Sequence, residues 1–349
     1  MEKVKIVLYG VGAVGSLIAK TLLEKEGVEI VGAVDIAEHK VGRDLGEVLG
    51  LSRKLGVKIS SDVNAVLSQV KANTAVHTTS SFFKDTYPQI GLIVKHGVNV
   101  VSTCEEVSYP YFTEPKLAMK LDSLAKKYNV TVLGTGINPG FLMDTLVIML
   151  TAVCQKIEKI EAVRVMNAAT RRVPFQKKIG AGLTVEEFKR RIENKQITGH
   201  VGLEQSIAMI ADSLKWNLDR ITADGVEPII AKQPLESAST KVGAGEAAGL
   251  RQRAKGILNN KEIIVLDFQA YVGAEEEYDA VTIEGVPSVR QKIQPCVHGD
   301  IGTAAVVSNS IPKVINAPAG LLTMKDLPVP SATLVNMRKY VKTSSRKLH

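Results

Sequence analysis

The sequence predicts an α/β protein with a doubly wound parallel sheet first, an α+β domain with a mostly antiparallel sheet second, and a C-terminal helix returning to the first domain. Three observations predict it. Up to about residue 135, strand-like and helix-like patterns alternate; Gly134-Thr-Gly-Ile-Asn-Pro-Gly140 then breaks the alternation; beyond it strand patterns are grouped. Alternation places helices on both faces of a parallel sheet, whereas grouped strands favour antiparallel pairing. At 349 residues the chain exceeds one ordinary core, so two domains are expected.

The first strand, 4–9, is an apolar run (Val4, Ile6, Val7, Leu8) that leads into Gly10-Val-Gly12-Ala-Val-Gly15. A helix over about 14–26 carries Leu17, Ile18, Leu22 and Leu23, and a second strand, 28–35, ends at Asp35. Each part suits a dinucleotide. Gly10 allows the tight turn, Gly12 lets a pyrophosphate approach the backbone, and Gly15 brings the helix against its strand. The first helical turn, with Ala13 and Val14, aims unpaired N–H groups and a positive dipole end at the phosphates. Asp35, twenty residues after Gly15, suits the ribose hydroxyls. This is the pattern of a Rossmann dinucleotide-binding domain. The carboxylate favours NAD, and His39, Lys40 and Arg43 nearby make NADP the second candidate.

Further strands read at 73–79, 98–103 and 130–134, with helices near 62–70, 85–96 and 113–128. Ligands sit beyond the carboxyl ends of such strands. Residues 77–80 and 102–106 are therefore expected to face the nicotinamide half, with Thr79, Ser80, Thr103 and Cys104 as contacts and His77 close by. A helix is expected from Phe141 to Val153. Then come a strand near 160–168, helices near 184–196 and 203–217, and strands near 220–231, 248–256, 262–272, 278–284 and 288–293. A helix over Ile301–Val314 is expected to pack back on the first domain. The expected boundaries are 1–135, 136–298 for substrate binding and dimerisation, 299–330 for the return segment, and a basic tail at 331–349. That tail (Arg338, Lys339, Lys342, Arg346, Lys347) reads as a solvated end. An antiparallel sheet with a face to cover suggests a homodimer.

Composition excludes several classes. Hydrophobic and charged contents of 45% and 23% are those of a soluble globular protein. No apolar run reaches the ~18–20 residues of a membrane span. The three cysteines (Cys104, Cys154, Cys296) form no CxxC pair and no metal-spaced cluster with histidine, so no metal is expected and a reducing compartment is. A strand that begins almost at once leaves no room for a signal peptide; the expected location is the cytoplasm. The net charge of +8 is scattered and lacks aromatic interleaving, which argues against a nucleic-acid partner.

Chemistry concentrates at Val100-Val-Ser-Thr-Cys-Glu-Glu106, where two carboxylates follow a strand end. In many two-domain dehydrogenases this turn carries Thr-Ala-Asn-Lys, and the lysine transfers the proton. Laying Ser102-Thr-Cys-Glu over that pattern puts Glu105 in the lysine position. An acid in place of a cationic base implies a substrate that is itself cationic, an amine or iminium. A carboxylate there stabilises the positive charge and orients water or ammonia. Glu105 is the catalytic candidate; Glu106 is secondary. Asn138 is placed to meet the nicotinamide carboxamide, with Phe141 and Met143 as substrate walls and Asp144 as a structural partner. Arg164 and Asn167, on a second-domain strand, offer a fork and an amide for a substrate carboxylate. His200 lies between two glycines before a helix and is a further substrate contact. Arg171 and Arg172 read as solvated, and His298 as structural.

Four motifs together resemble the 2,4-diaminopentanoate dehydrogenase family and its relatives, the native amine dehydrogenases. They are the glycine opening, Ser102-Thr-Cys-Glu-Glu-Val-Ser-Tyr-Pro110, Gly136-Ile-Asn-Pro-Gly-Phe-Leu-Met-Asp144 and Gly199-His-Val-Gly-Leu-Glu-Gln-Ser206. The likeness extends to about Pro330. It implies a dihydrodipicolinate-reductase-like fold and NAD(P)-dependent oxidative deamination of an amine to a ketone plus ammonia, with Glu105 matching the family's catalytic carboxylate. The paired histidines and lysine of true dihydrodipicolinate reductases are missing. The alternatives are a hydroxy-acid or semialdehyde oxidoreductase akin to homoserine dehydrogenase, which the missing lysine disfavours, and a non-catalytic NAD(P)H sensor.

Overall fold

The computed structural model describes residues 3–171, 173–237 and 240–341. It contains two compact units: one runs from the N-terminus to Phe141 and resumes at Gly299, and the other spans Leu142–His298.

The first unit is built on β1 (Val4–Tyr9), β2 (Val28–Val34), β3 (Ile59–Ser60), β4 (Thr74–His77), β5 (Asn99–Ser102) and β6 (Thr131–Gly134), with a late strand, Gly320–Leu322. The order across the sheet is Gly320–Leu322, β6, β5, β4, β1, β2, β3, and every pairing is parallel. Strand alternation divides the core in two. Ile6, Leu8, Val76, Val101 and Leu133 face helix α1 (Ala13–Leu23) and helix Gly299–Asn316. Val7, Ala75, Val100 and Val132 face helices Phe83–Lys95 and Pro115–Lys127. Each helix answers with a stripe at helical spacing: Ile18, Ala19 and Leu22; Ala304, Val307, Ile311 and Val314; Ile90, Ile93 and Val94; Ala118, Leu121 and Ala125. The helix from Gly299 thus shares a core with β1.

The seam differs from expectation. The unit boundary lies at Phe141, not at residue 135, and the helix expected from Phe141 begins only at Thr145 and ends at Thr151. Residues 137–144 form turns instead. Gly140 sits at φ +123, and a Cβ there would lie 2.4 Å from the Gly136 nitrogen, so the loop folds tightly on itself. Asp144 then starts the helix by accepting the Thr145 N–H at 2.5 Å.

The second unit holds β7 (Lys156–Asn167), β8 (Arg220–Ala223), β9 (Glu227–Ile230), the small hairpin β10 (Leu235–Glu236) and β11 (Lys241–Val242), β12 (Ala247–Leu258), β13 (Lys261–Tyr271), β14 (Tyr278–Val286) and β15 (Val289–Ile293). Its main sheet runs β15-β14-β7-β13-β12-β8, with β9 also on β12. The β7–β13 pair is parallel and the others are antiparallel. Helix Leu203–Leu214 covers part of it: a Cβ on Gly256 of β12 would sit 2.9 Å from Ile207 Cγ2.

One glycine in the first sheet positions the turn after β5. A Cβ on Gly134 would lie 2.2 Å from the carbonyl carbon of Val107, so only hydrogen fits between β6 and that turn. Gly134→Ala is expected to cost about 1–3 kcal/mol of stability through this overlap. A lower urea midpoint at unchanged m-value is the expected result, and an unchanged midpoint would show that the turn yields freely.

Candidate active site

At the carboxyl edge of the first sheet, parallel pairing continues one residue past each strand. Asp35 N–H donates to Ser60 O (3.1 Å), Gly10 to Val34 (2.8 Å), Thr78 to Tyr9 (2.8 Å), Thr103 to His77 (3.0 Å) and Thr135 to Ser102 (2.8 Å). These bonds set Asp35, Gly10, Thr78, Thr103 and Thr135 in one row, from which the loops depart.

The glycine turn fits this edge closely. Gly10 has φ +97, and a Cβ there would lie 2.5 Å from Thr78 O; a Cβ on Gly15 would lie 2.2 Å from Gly10 O. Thr78 Oγ1 closes the contact by donating to Gly10 O at 2.9 Å. Thr78 lies in the 77–80 segment expected at this edge, but its packing against the glycine turn was not anticipated from the sequence. Gly12, the residue before α1, has nothing within 4 Å of its Cβ position. The open position lies at the positive end of an 11-residue helix. Ala13 is exposed and Val14 half-buried. A hollow of about 340 Å³ is lined by Gly12, Ala13, Ser16, His39, Lys40 and Arg43, among others. Open backbone, helix end and cations together fit the phosphates of a dinucleotide.

Asp35 is anchored on three sides. Its Oδ2 accepts the Val11 N–H (2.8 Å) and Lys40 Nζ (3.0 Å), and its Oδ1 accepts the Ala37 N–H (2.9 Å). Burial pushes its pKa up, but the Ala37 and Val11 N–H groups and then Lys40 outweigh this and hold it below the usual carboxylate range. Lys40 also donates to Val11 O at 2.9 Å. The carboxylate is thus fixed and ionised, with a cation beside it.

The turn after β5 separates the two glutamates. Residues Glu105–Ser108 form a short 3₁₀ turn against Gly134, closed by Ser108 Oγ donating to Glu105 O at 2.7 Å. Glu106 Oε2 accepts the Phe83 N–H at 2.6 Å, where an anion complements the dipole of helix Phe83–Lys95. Glu106 is therefore a helix anchor, and Glu105 stands half-buried at the sheet edge.

Several expected cofactor contacts are otherwise engaged. Cys104 is 1% exposed, and burial pushes its thiol up to about 12; its side chain belongs to the core and takes a contact from Thr86 Oγ1 at 3.5 Å. Ser80 Oγ donates to Asp85 Oδ2 (3.0 Å) and accepts the Phe82 N–H (3.3 Å), organising the start of that helix. Thr79 is exposed and donates to Gln89 Oε1 at 2.7 Å. Thr103 and Asn138 are half-buried. His77, expected near the nicotinamide, is fully buried.

In the second unit three expectations are corrected: Arg164, Asn167 and Met143. Arg164 is not an exposed fork: it is 1% exposed and donates to Asp279 Oδ1 (2.6 Å) and Val297 O (2.5 Å). A charge buried so deeply requires such partners. Asn167 is used locally: its Oδ1 accepts the Ala169 N–H (3.0 Å) and its Nδ2 donates to Ala274 O (3.3 Å). Met143, at 1% exposure, is a core residue rather than an open wall, whereas Phe141 in the first unit is half-buried. Asp144 is structural, accepting Ser206 Oγ at 2.9 Å. His200 stacks on Phe268 with ring centres 4.4 Å apart and planes at 9°, and its backbone N–H donates to Gln252 Oε1 at 2.8 Å. Arg172, Lys342, Arg346 and Lys347 lie outside the described residues.

The family model for the C-terminal domain of 2,4-diaminopentanoate dehydrogenase matches residues 141–343, and that for the N-terminus of dihydrodipicolinate reductase matches 4–105. The chain is 37% identical to 2,4-diaminopentanoate dehydrogenase of Acetoanaerobium sticklandii, with 99% of each chain covered. It belongs to the 2,4-diaminopentanoate dehydrogenase family. A more distant relative is an amine dehydrogenase of Streptomyces virginiae, 24% identical over 93% of this chain and 96% of the relative. Among solved structures, the amine dehydrogenase of Mycobacterium smegmatis matches at TM-score 0.82 and 29% identity, covering 95% of this chain and 97% of that one. A protein of gentamicin A biosynthesis, solved in complex with NAD, shares the fold at TM-score 0.56 and 14% identity, covering 93% of this chain and 90% of that one. The family and the fitted glycine turn establish a nicotinamide cofactor.

Two histidines, His77 fully buried and His200 half-buried against Phe268, give this family member a pH signature. Burial lowers His77 to about 4 against a partial counter-effect from Gln89; burial, then the charges of Lys178 and Arg164, lowers His200 to about 3. Unfolded, each would titrate near 6.5. Below that value the unfolded chain binds more protons, so stability is full above pH 6.5 and is lost on acidification toward pH 4. Urea midpoints should fall steadily between pH 7 and 4.5, and His200→Gln should reduce the slope. A flat profile would contradict these assignments.

Proposed function

We propose that this chain catalyses NAD(P)-dependent oxidative deamination of an amine to a ketone plus ammonia, with 2,4-diaminopentanoate giving 2-amino-4-oxopentanoate as the first candidate reaction. The reverse reaction is reductive amination. The observation that carries the reading is the place of Glu105, half-buried in the turn after β5 at the carboxyl edge of the sheet that holds the glycine turn, while Glu106 anchors a helix start. The names of the relatives support the amine class.

A bound nicotinamide dinucleotide supplies the hydride acceptor. The protein's part falls to Glu105, whose negative charge stabilises the iminium that the substrate carbon carries once its hydride has gone. Water adds to that carbon, and Glu105 takes the proton. Glu105 then passes that proton to the carbinolamine nitrogen, and as the C–N bond breaks it accepts the hydroxyl proton, leaving ketone and ammonia. Asn138, Thr103 and Phe141 remain candidates for cofactor and substrate contacts on the first unit, and His200, held neutral, is the candidate on the second. Asp35 favours NAD through the ribose hydroxyls, while Lys40, Arg43 and His39 beside it offer partners to the 2′-phosphate of NADP. A homodimer in the cytoplasm completes the reading; no helix among the described residues is long and apolar enough to cross a membrane.

Glu105→Gln keeps the shape and removes the charge and the base. Turnover should fall by ~10²–10⁴-fold while NADH binding, followed by fluorescence, stays as in the unaltered protein. Glu106→Gln should instead lower the urea midpoint and leave most turnover intact. Full turnover in Glu105→Gln would overturn the assignment.

A further inference from the structure

A chain of hydrogen bonds runs behind the strand ends from the buried Ser102 to the exposed Thr79, and its direction can be read from donors and acceptors alone. Ser102 is fully buried. Its hydroxyl lies 3.1 Å from the Cys104 nitrogen and 3.0 Å from His77 Nδ1. The Cys104 N–H can only donate, so Ser102 Oγ accepts there and its own proton must go to Nδ1. The opposite tautomer would give Ser102 two donors and strand a buried hydroxyl proton. His77 therefore carries its proton on Nε2, which lies 2.7 Å from Gln89 Oε1. Thr79 Oγ1 is 2.7 Å from the same oxygen and 3.1 Å from Nε2. With Gln89 presenting oxygen, the Thr79 proton points inward. Tyr9 covers the histidine, with ring centres 5.2 Å apart, and burial keeps the imidazole neutral.

We infer that Gln89 and His77 are positioning residues that make the exposed Thr79 hydroxyl a fixed hydrogen-bond acceptor for the bound dinucleotide. Whatever meets Thr79 from outside must donate: a ribose hydroxyl or the carboxamide N–H of the nicotinamide. The far end of the chain is the backbone of Cys104, the residue before Glu105. One network thus ties a cofactor contact to the turn of the proposed catalytic carboxylate. The inference rests on the cofactor reading of this edge and is independent of Glu105's role.

The test needs no amine turnover. In the full-length protein, Thr79→Val should weaken NADH binding, measured by fluorescence titration, about 3–10-fold, the loss of one neutral hydrogen bond. Thr79→Ser should restore it. Gln89→Leu should match Thr79→Val, and the double variant should be no weaker than either single one, because both remove the same contact. Nitrogen NMR of the imidazole should show an unprotonated Nδ1 and a protonated Nε2. Normal NADH binding by Thr79→Val, additive losses, or a protonated Nδ1 would each overturn the inference. If Gln89→Leu fails to fold, the Thr79 variants and the imidazole spectrum still decide. Loss of turnover in Glu105→Gln with these results absent would sink the network and spare the proposed reaction.

Discussion

Five backbone N–H groups at the carboxyl edge of the first sheet reach across to the neighbouring strand after the strands themselves have ended. In a parallel sheet the strand ends fall on one side, and this extra rung brings Asp35, Gly10, Thr78, Thr103 and Thr135 into register there. The rest follows from that alignment. Gly10 and Gly15 have no side chain because Thr78 and the Gly10 carbonyl already occupy the space. Gly134 has none because the Glu105 turn rests on it. In the proposed binding mode phosphates, ribose and reacting carbon each meet a different strand end, and the spacing between strands sets the spacing between those contacts.

Within the row, charge is distributed by pairing. Asp35 is ionised and held by two N–H groups and Lys40. Glu106 meets a helix start, and Arg164 and Asp279 neutralise each other inside the second unit. Charges with such partners are fixed in place and serve structure or binding. His77 and His200 are kept neutral by burial, so they contribute hydrogen bonds and packing at neutral pH rather than charge.

Most of the architecture was legible because it rests on local periodicity. The runs at 4–9, 28–35 and 98–103 alternate with stripes such as Ile90, Ile93 and Val94, and the strands and helices appear within a few residues of expectation. Ile59–Ser60 and Gly320–Leu322 were missed because two or three residues carry no period. The helix start at Thr145 was misplaced because Phe141 to Met143 are apolar, while Gly140 and the Asp144 cap decide where helical geometry begins. Spacing put Gly10, Gly12, Gly15 and Asp35 on the first strand–turn–helix–strand unit, and place after a strand put Glu105 at the sheet edge, where the structure has them. It misjudged Arg164, Asn167 and Cys104, since burial and pairing partners such as Asp279 lie far along the chain. The 77–80 segment was placed at the edge without the role of Thr78 in closing the glycine turn, and Gln89 gave no signal, for single polar residues acquire meaning only from their neighbours in space.

The central claim is that the carbon oxidised at this edge bears nitrogen. The direct measurement follows NADH formation and released ammonia together, with 2,4-diaminopentanoate, 4-aminopentanoate, simple alkylamines and the corresponding alcohols offered in turn. Amines should produce NADH and ammonia in equal amounts, and alcohols should produce neither. Turnover of alcohols without ammonia, or tight NADH binding with no turnover of any amine, would contradict the claim.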